Sequence, residues 1–121
     1  MKNKNWLESF FHAFNGIQKT AAHERNFRIQ IFIAIFAVIA CIIFRVDSQH
    51  FILVVVTIFF VLAMELVNTA IEALTDLACG NKPHPLAKIA KDAAAGAVLL
   101  SSMMAVFVGV LVAWSVIRRY I

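Results

Sequence analysis

The stretch MELVNTAIEALTD (64–76) carries the side chains best suited to chemistry in this chain. Its polar members include Glu65, Asn68, Glu72 and Asp76. At about 100° per residue of a helix, the three carboxylates project within roughly 40° of one another, and the Asn68 amide lies on one flank. These four side chains therefore form one helical stripe, called the acidic stripe below.

A second polar group follows the acidic stripe after a short loop that contains both prolines of the chain. This group consists of Lys88, Lys91 and Asp92, and the loop is short enough to return it to the depth of Glu72 and Asp76. Carboxylates are ligands that Mg²⁺ prefers, and a lysine suits phosphate oxygens. The two groups together predict a site for a divalent metal and a polyphosphate.

The setting of these carboxylates is apolar. The chain has 121 residues, of which 62% are hydrophobic and only 15% are charged, so we expect an integral membrane protein. Counting about 1.5 Å per residue from Phe51, a hydrocarbon core about 30 Å thick ends near residue 70. Glu65 would then lie just inside the inner leaflet, where a charge is costly, with Glu72 and Asp76 among the headgroups.

The elements that must position the site are predicted to be helices only. We expect an all-α membrane protein in which the whole chain, 1–121, is a single domain. An amphipathic surface helix is predicted over 5–22, because Trp6, Phe10, Phe14 and Ile17 share one stripe. Three apolar runs predict membrane spans over about 28–46, 50–79 and 85–118.

The loop between the second and third spans has its own signals. Gly80 is predicted to end the second span as a helix C-cap, and Pro85 suits the first turn of the third. The distribution of Lys and Arg predicts the orientation. The N-terminus and this loop carry eight basic residues against three on the other side, so both are expected to face the cytoplasm.

Several classes of protein and site are excluded or disfavoured. The chain has no basic stripe with interleaved aromatic residues, so a nucleic-acid partner is not expected. Cys41 and Cys79 lack the spacing of a zinc site and are expected to be buried packing residues. With four glycines and neither GxGxxG nor GxxxxGK[ST], the chain is not a common soluble kinase.

Two non-enzymatic alternatives stay open on the residues alone. A structural membrane protein could use the acidic stripe to pair helices without turnover. A transporter would need polar groups along a path through the whole bilayer. The outer half of the second and third spans offers only Thr57, Ser101, Ser102 and Ser115, which argues against such a path.

Three motifs resemble those of the prokaryotic diacylglycerol kinase family, small trimeric membrane lipid kinases. They are ELVNTAIEALTD (65–76), HPLAKIAKDAAAGAVL (84–99) and HERNFR (23–28), and the resemblance extends from Phe10 to about Trp114. The residues of the second and third motifs most closely resemble those of the Gram-positive branch of the family, whose members phosphorylate undecaprenol. The resemblance implies ATP-dependent formation of undecaprenyl phosphate, with phosphatidic acid from diacylglycerol as the alternative. It also implies Mg²⁺ as cofactor, a homotrimer, and an active site at the cytoplasmic face of a bacterial plasma membrane.

The resemblance further implies roles for individual residues. Glu65 is implied as the general base, and Glu24 and Glu72 as metal ligands. The implied nucleotide contacts are Glu24, Asn68, Glu72, Lys82, His84, Lys91 and Asp92, together with His12, where the family has a Tyr, a departure that leaves this contact open. The implied lipid contacts are Glu65, Asn26, Phe27, Arg28 and Gln30. Asp76 is expected either to support the site or to be the ion-pair partner of Lys88.

Overall fold

The computed structural model describes residues 5–121, and all of its regular structure is helical, as predicted. The helices are α1 (Trp6–His23), α2 (Arg25–Ile43), α3 (Ser48–Cys79) and α4 (Pro85–Ile117). The last three are long and apolar enough to cross a membrane. That α1 lies on the membrane surface stays a prediction.

The ends of α2 differ from the predicted span. We expected 28–46, whereas the helix begins three residues earlier at Arg25 and ends three residues earlier at Ile43. Only Glu24, with an extended backbone, separates it from α1, so the polar residues after Glu24 are already helical. At the other end, Arg45 adopts a φ of 52°, which no continuing helix allows. Hydropathy locates the apolar run but not the turns on either side of it.

The ends of α3 and α4 follow the predicted signals. Gly80 caps α3 in the left-handed conformation with a φ of 55°, and Pro85 occupies the first turn of α4. At the far end of α3, the Asp47 side chain accepts a hydrogen bond from the backbone N–H of His50. The hydrogen bond from the His50 ring also holds the pKa of the Asp47 carboxyl below its ordinary value.

The helices leave an apolar cavity between them. α3 packs along α4 and also against α2, while no close approach of the α2 and α4 backbones occurs in residues 5–121. A cavity of about 800 Å³ lies among these three helices and is lined from Gln30 near the start of α2 to Phe44 just after its end. Near the end of this cavity that Phe44 and Ile117 line, the Arg119 guanidinium donates hydrogen bonds to the Phe44 and Arg45 carbonyls.

Replacing Gly80 with Ala is expected to lower the free energy of unfolding in detergent by about 1–2 kcal/mol. A Cβ at a φ of 55° is strained even though no atom lies within 4 Å of it. Gly16→Ala in α1 is the matched control, since that position also has open space and no positive φ. Equal stability of Gly80→Ala and the wild type in SDS titration would show that the left-handed conformation at position 80 does not require glycine.

Candidate active site

Glu65 is the buried centre of the polar region. Its side chain on α3 is only 3% exposed. Gln30 on α2 donates a hydrogen bond from Nε2 to Glu65 Oε2 at 3.2 Å. This contact links two helices at the cavity end where Gln30 is part of the lining. A buried carboxylate with one neutral donor is a costly arrangement in an apolar bundle, which is typical of functional rather than structural acids.

Two further carboxylates approach Glu65. Glu24, at the junction of α1 and α2, and Glu72, on α3, both lie close enough to act on Glu65 electrostatically. Asn68 Nδ2 donates to Glu72 Oε1 at 3.2 Å, which fixes the amide beside that carboxylate. Both predicted metal ligands therefore lie within electrostatic range of the predicted base.

Exposure increases along the acidic stripe. Glu65 is buried, Glu72 is half-buried and Asp76 is exposed. The depth of these three residues in the membrane stays a prediction. Within the chain, Glu72 is thus more open to a ligand than Glu65.

A cleft of about 650 Å³ opens between the end of α3 and the start of α4. Lys91 Nζ reaches across it to Asp76 Oδ1 at 2.5 Å, and Glu72 also acts electrostatically on Lys91. Lys88 instead pairs with Asp92 on its own helix at 2.6 Å. The alternative in which Asp76 is the partner of Lys88 is therefore wrong; its partner is Lys91.

The loop before α4 forms the rim of this cleft. Gly80 and Asn81 both have positive φ, which turns the chain sharply after α3. His84 then caps α4, because its Nδ1 accepts a hydrogen bond from the Leu86 backbone N–H at 3.1 Å. Lys82 and His84 both line the cleft and are exposed, so they are available to an aqueous ligand.

The other predicted residues that the structure describes make no hydrogen bond to the Glu65 or Glu72 side chain. His12 and Asn26 are exposed on α1 and α2. Asp92 is also exposed and lines the cleft beside Lys88. Arg28 donates to the Ala21 and Ala22 carbonyls and so caps the end of α1. Phe27 is 2% exposed, so in this chain it packs inside the bundle. Their predicted contacts with nucleotide or lipid stay predictions.

The sequence interpretation missed two features. Cys41 is buried as expected, but Cys79 is only partly buried and lines the cleft. The pairing of Gln30 with Glu65 was also not foreseen, although Gln30 is the only polar residue in its apolar run, a signal that it needs a partner.

The oxygen atoms near Glu72 fit Mg²⁺ that arrives with a nucleotide. In residues 5–121 no group of three His, Cys, Asp or Glu side chains is arranged to hold a metal alone. However, Mg²⁺ is usually bound through one or two protein carboxylates together with substrate phosphates. Glu24 and Glu72 are two such carboxylates. Beside Glu72, the Asn68 Oδ1 atom is buried without a hydrogen-bond partner.

Comparison with known proteins identifies similar chains. The family model described as prokaryotic diacylglycerol kinase matches residues 11–113. A diacylglycerol kinase of Synechocystis sp. is 42% identical over 105 residues, which cover 87% of this chain but 60% of that protein. An undecaprenol kinase of Bacillus subtilis is 38% identical over 107 residues, covering 88% of this chain and 86% of that protein. A diacylglycerol kinase of Escherichia coli K12 is 29% identical over 104 residues, covering 86% and 84%.

Proposed function

The chain belongs to the prokaryotic diacylglycerol kinase family, and from that premise we propose that it transfers the γ-phosphate of ATP to the hydroxyl of a membrane lipid, undecaprenol. One observation carries the proposal. Buried Glu65 is hydrogen-bonded on one side to Gln30, which lines the apolar cavity, and has the more exposed Glu72 on the other. A lipid alcohol and an aqueous phosphate donor can meet at such a point.

Glu65 acts as the general base. The lipid enters laterally with its chain in the apolar cavity and its hydroxyl at Glu65. As the hydroxyl oxygen attacks the γ-phosphorus, its O–H bond breaks and the proton passes to the Glu65 carboxylate. The bond between the γ-phosphorus and the bridging oxygen breaks at the same time, and ADP leaves with that electron pair. Such a transfer requires alignment and charge neutralisation more than covalent catalysis.

The other polar side chains bind the phosphate donor. Glu24 and Glu72 would hold Mg²⁺, which when bound neutralises charge on the phosphates. Lys91 contributes a cation beside Glu72, and its ion pair with Asp76 keeps it at the cleft until a phosphate replaces that carboxylate. Lys82, His84 and Asp92 complete the nucleotide site from the cleft that they line. Asn68 contributes from its position beside Glu72, and His12 contributes from α1.

The site is proposed to face the cytoplasm of a bacterial cell. This orientation is supported by the eight basic residues on the N-terminal and loop side against three on the other, and it places the cleft where ATP is available. We also propose a homotrimer. Its support is the family resemblance together with the many large apolar side chains exposed on all helices of the single chain.

Undecaprenol is preferred to diacylglycerol on two observations. The undecaprenol kinase is 38% identical in a match that covers 86% of it, whereas the Escherichia coli diacylglycerol kinase is 29% identical in a match that covers 84% of it, and the 42% identical match to the Synechocystis protein covers only 60% of that protein. The cavity lining has three polar side chains, Gln30, Thr57 and Ser102, and the Thr57 hydroxyl already donates to the Leu53 carbonyl. A polyprenol has one hydroxyl and no ester oxygens. In this cavity it would therefore bury fewer lipid oxygens without a hydrogen-bond donor than diacylglycerol would.

We expect the purified protein to phosphorylate undecaprenol with a kcat/KM at least about tenfold above that for diacylglycerol, a difference of about 1.4 kcal/mol in transition-state binding. The two lipids are compared in the same detergent at equal mole fraction, with radiolabelled ATP and extraction of the lipid product. A higher value for diacylglycerol would assign that lipid instead. Absence of label in either lipid would favour a structural or transport role.

A further inference from the structure

Gln30 makes a contact that the proposed reaction does not yet use. Its side-chain Nε2 donates to Glu65 Oε2, while its Oε1 is buried without any hydrogen-bond partner. An ionised carboxylate only accepts hydrogen bonds, so the amide must present nitrogen to Glu65 and direct its oxygen elsewhere. The same side chain belongs to the lining of the apolar cavity.

The unpaired oxygen points to a ligand with a hydrogen-bond donor. A buried acceptor without a partner is unfavourable, and the apolar cavity supplies few donors that could satisfy it. A lipid alcohol offers a single donor, its hydroxyl. An amide that donates to the base and accepts from the hydroxyl would hold both partners of the proton transfer next to each other.

We propose that Gln30 is the positioning residue of this site, because its Nε2 orients the Glu65 carboxylate while its Oε1 accepts from the lipid hydroxyl. The family resemblance implies only that Gln30 contacts the lipid; the orientation of the base and the atom that meets the hydroxyl are new. This inference rests on the proposed function. In the ground state the lipid O–H donates to Gln30 Oε1. During transfer the O–H bond breaks and the proton bonds to Glu65, while Gln30 neither gains nor loses a proton.

Gln30→Met and Gln30→Glu test this role. Met is unbranched and of similar length but makes neither hydrogen bond, whereas Glu keeps the acceptor and places a second carboxylate beside Glu65. We expect Gln30→Met to raise the KM for the lipid and lower kcat, each about tenfold. We also expect the acidic limb of its pH–rate profile to move upward by about one to two pH units, because ionised Glu65 has lost its donor.

Gln30→Glu should move the acidic limb upward as well, since two neighbouring carboxylates resist joint ionisation. Its KM for the lipid should stay closer to that of the wild type than the KM of Gln30→Met. Ser101→Ala is the control: Ser101 is 1% exposed and its hydroxyl donates only to the Val98 carbonyl of its own helix. An unchanged acidic limb in both Gln30 variants overturns the proposal, whatever their rates.

Labelling of Glu65 with a hydrophobic carbodiimide separates this inference from the proposed function. The reagent modifies protonated carboxyl groups in apolar surroundings, and mass spectrometry of the peptide gives the labelled fraction at each pH. In Gln30→Met, labelling should persist to higher pH than in the wild type, with Glu65→Gln as the unlabelled control. Failure of the wild type to phosphorylate any lipid alcohol rejects the proposed function, whereas identical labelling curves reject the role of Gln30.

Discussion

Replacing Glu65 with Gln is expected to reduce lipid phosphorylation by about 10²–10⁴-fold while leaving the fold and MgATP binding intact. The amide has the same shape and can still pair with Gln30, whose contact now holds the carboxylate at 3.2 Å. It cannot take the proton of the lipid hydroxyl. The loss should therefore fall on kcat and not on the KM for MgATP.

The measurement is steady-state kinetics with both substrates varied, together with nucleotide binding by the purified variant. Thermal unfolding in detergent checks the fold. Removing a buried carboxylate from an apolar bundle should not lower stability, since burial of a charge is unfavourable. Full turnover by Glu65→Gln would remove this residue from the mechanism, whatever its burial.

Glu72→Gln is expected to weaken the apparent affinity for MgATP by about 10–100-fold and to raise the Mg²⁺ concentration needed for half-maximal rate. Glu72 is the one carboxylate of the site that acts on both Glu65 and Lys91. Gln keeps an oxygen that can accept the hydrogen bond from Asn68, so the local packing is retained. Only the charge that is proposed to hold the metal is lost.

Asp47→Asn is the matched control for Glu72→Gln. It also neutralises a carboxylate of α3, but at the opposite end of that helix, and Asn is an equally good N-cap. We expect its Mg²⁺ and MgATP dependence to equal those of the wild type. An unchanged KM for MgATP and an unchanged Mg²⁺ dependence in Glu72→Gln would exclude it as a metal ligand.

The parts of the site that lie on one helix could be predicted from spacing alone. The helical angle between Glu65 and Glu72 places both carboxylates on one face, and the structure brings them within electrostatic range. Gly80 and Pro85 likewise identified the ends of α3 and α4, because a positive φ and a missing N–H restrict where these residues fit. The ion pair of Lys88 with Asp92 has the i, i+4 spacing and could have been predicted in the same way.

Contacts between helices could not be predicted from one sequence. Whether Lys91 pairs with Asp76 or Glu72 depends on how far α4 is shifted along α3, and both acids lie on the same stripe. The Gln30 to Glu65 hydrogen bond likewise depends on the register between α2 and α3. Hydropathy determines neither the shift of α4 along α3 nor that of α2 along α3, because apolar side chains such as Ile, Val, Leu and Phe would face each other at almost every register.

The most direct test of the account follows the phosphate itself. Purified protein is mixed with γ-labelled ATP and undecaprenol, and the label in the extracted lipid is compared with the ADP formed. We predict one labelled lipid for each ADP in the wild type and almost none of either with Glu65→Gln. ADP formation without labelled lipid, or wild-type transfer by Glu65→Gln, would contradict the claim that this buried carboxylate activates a lipid alcohol.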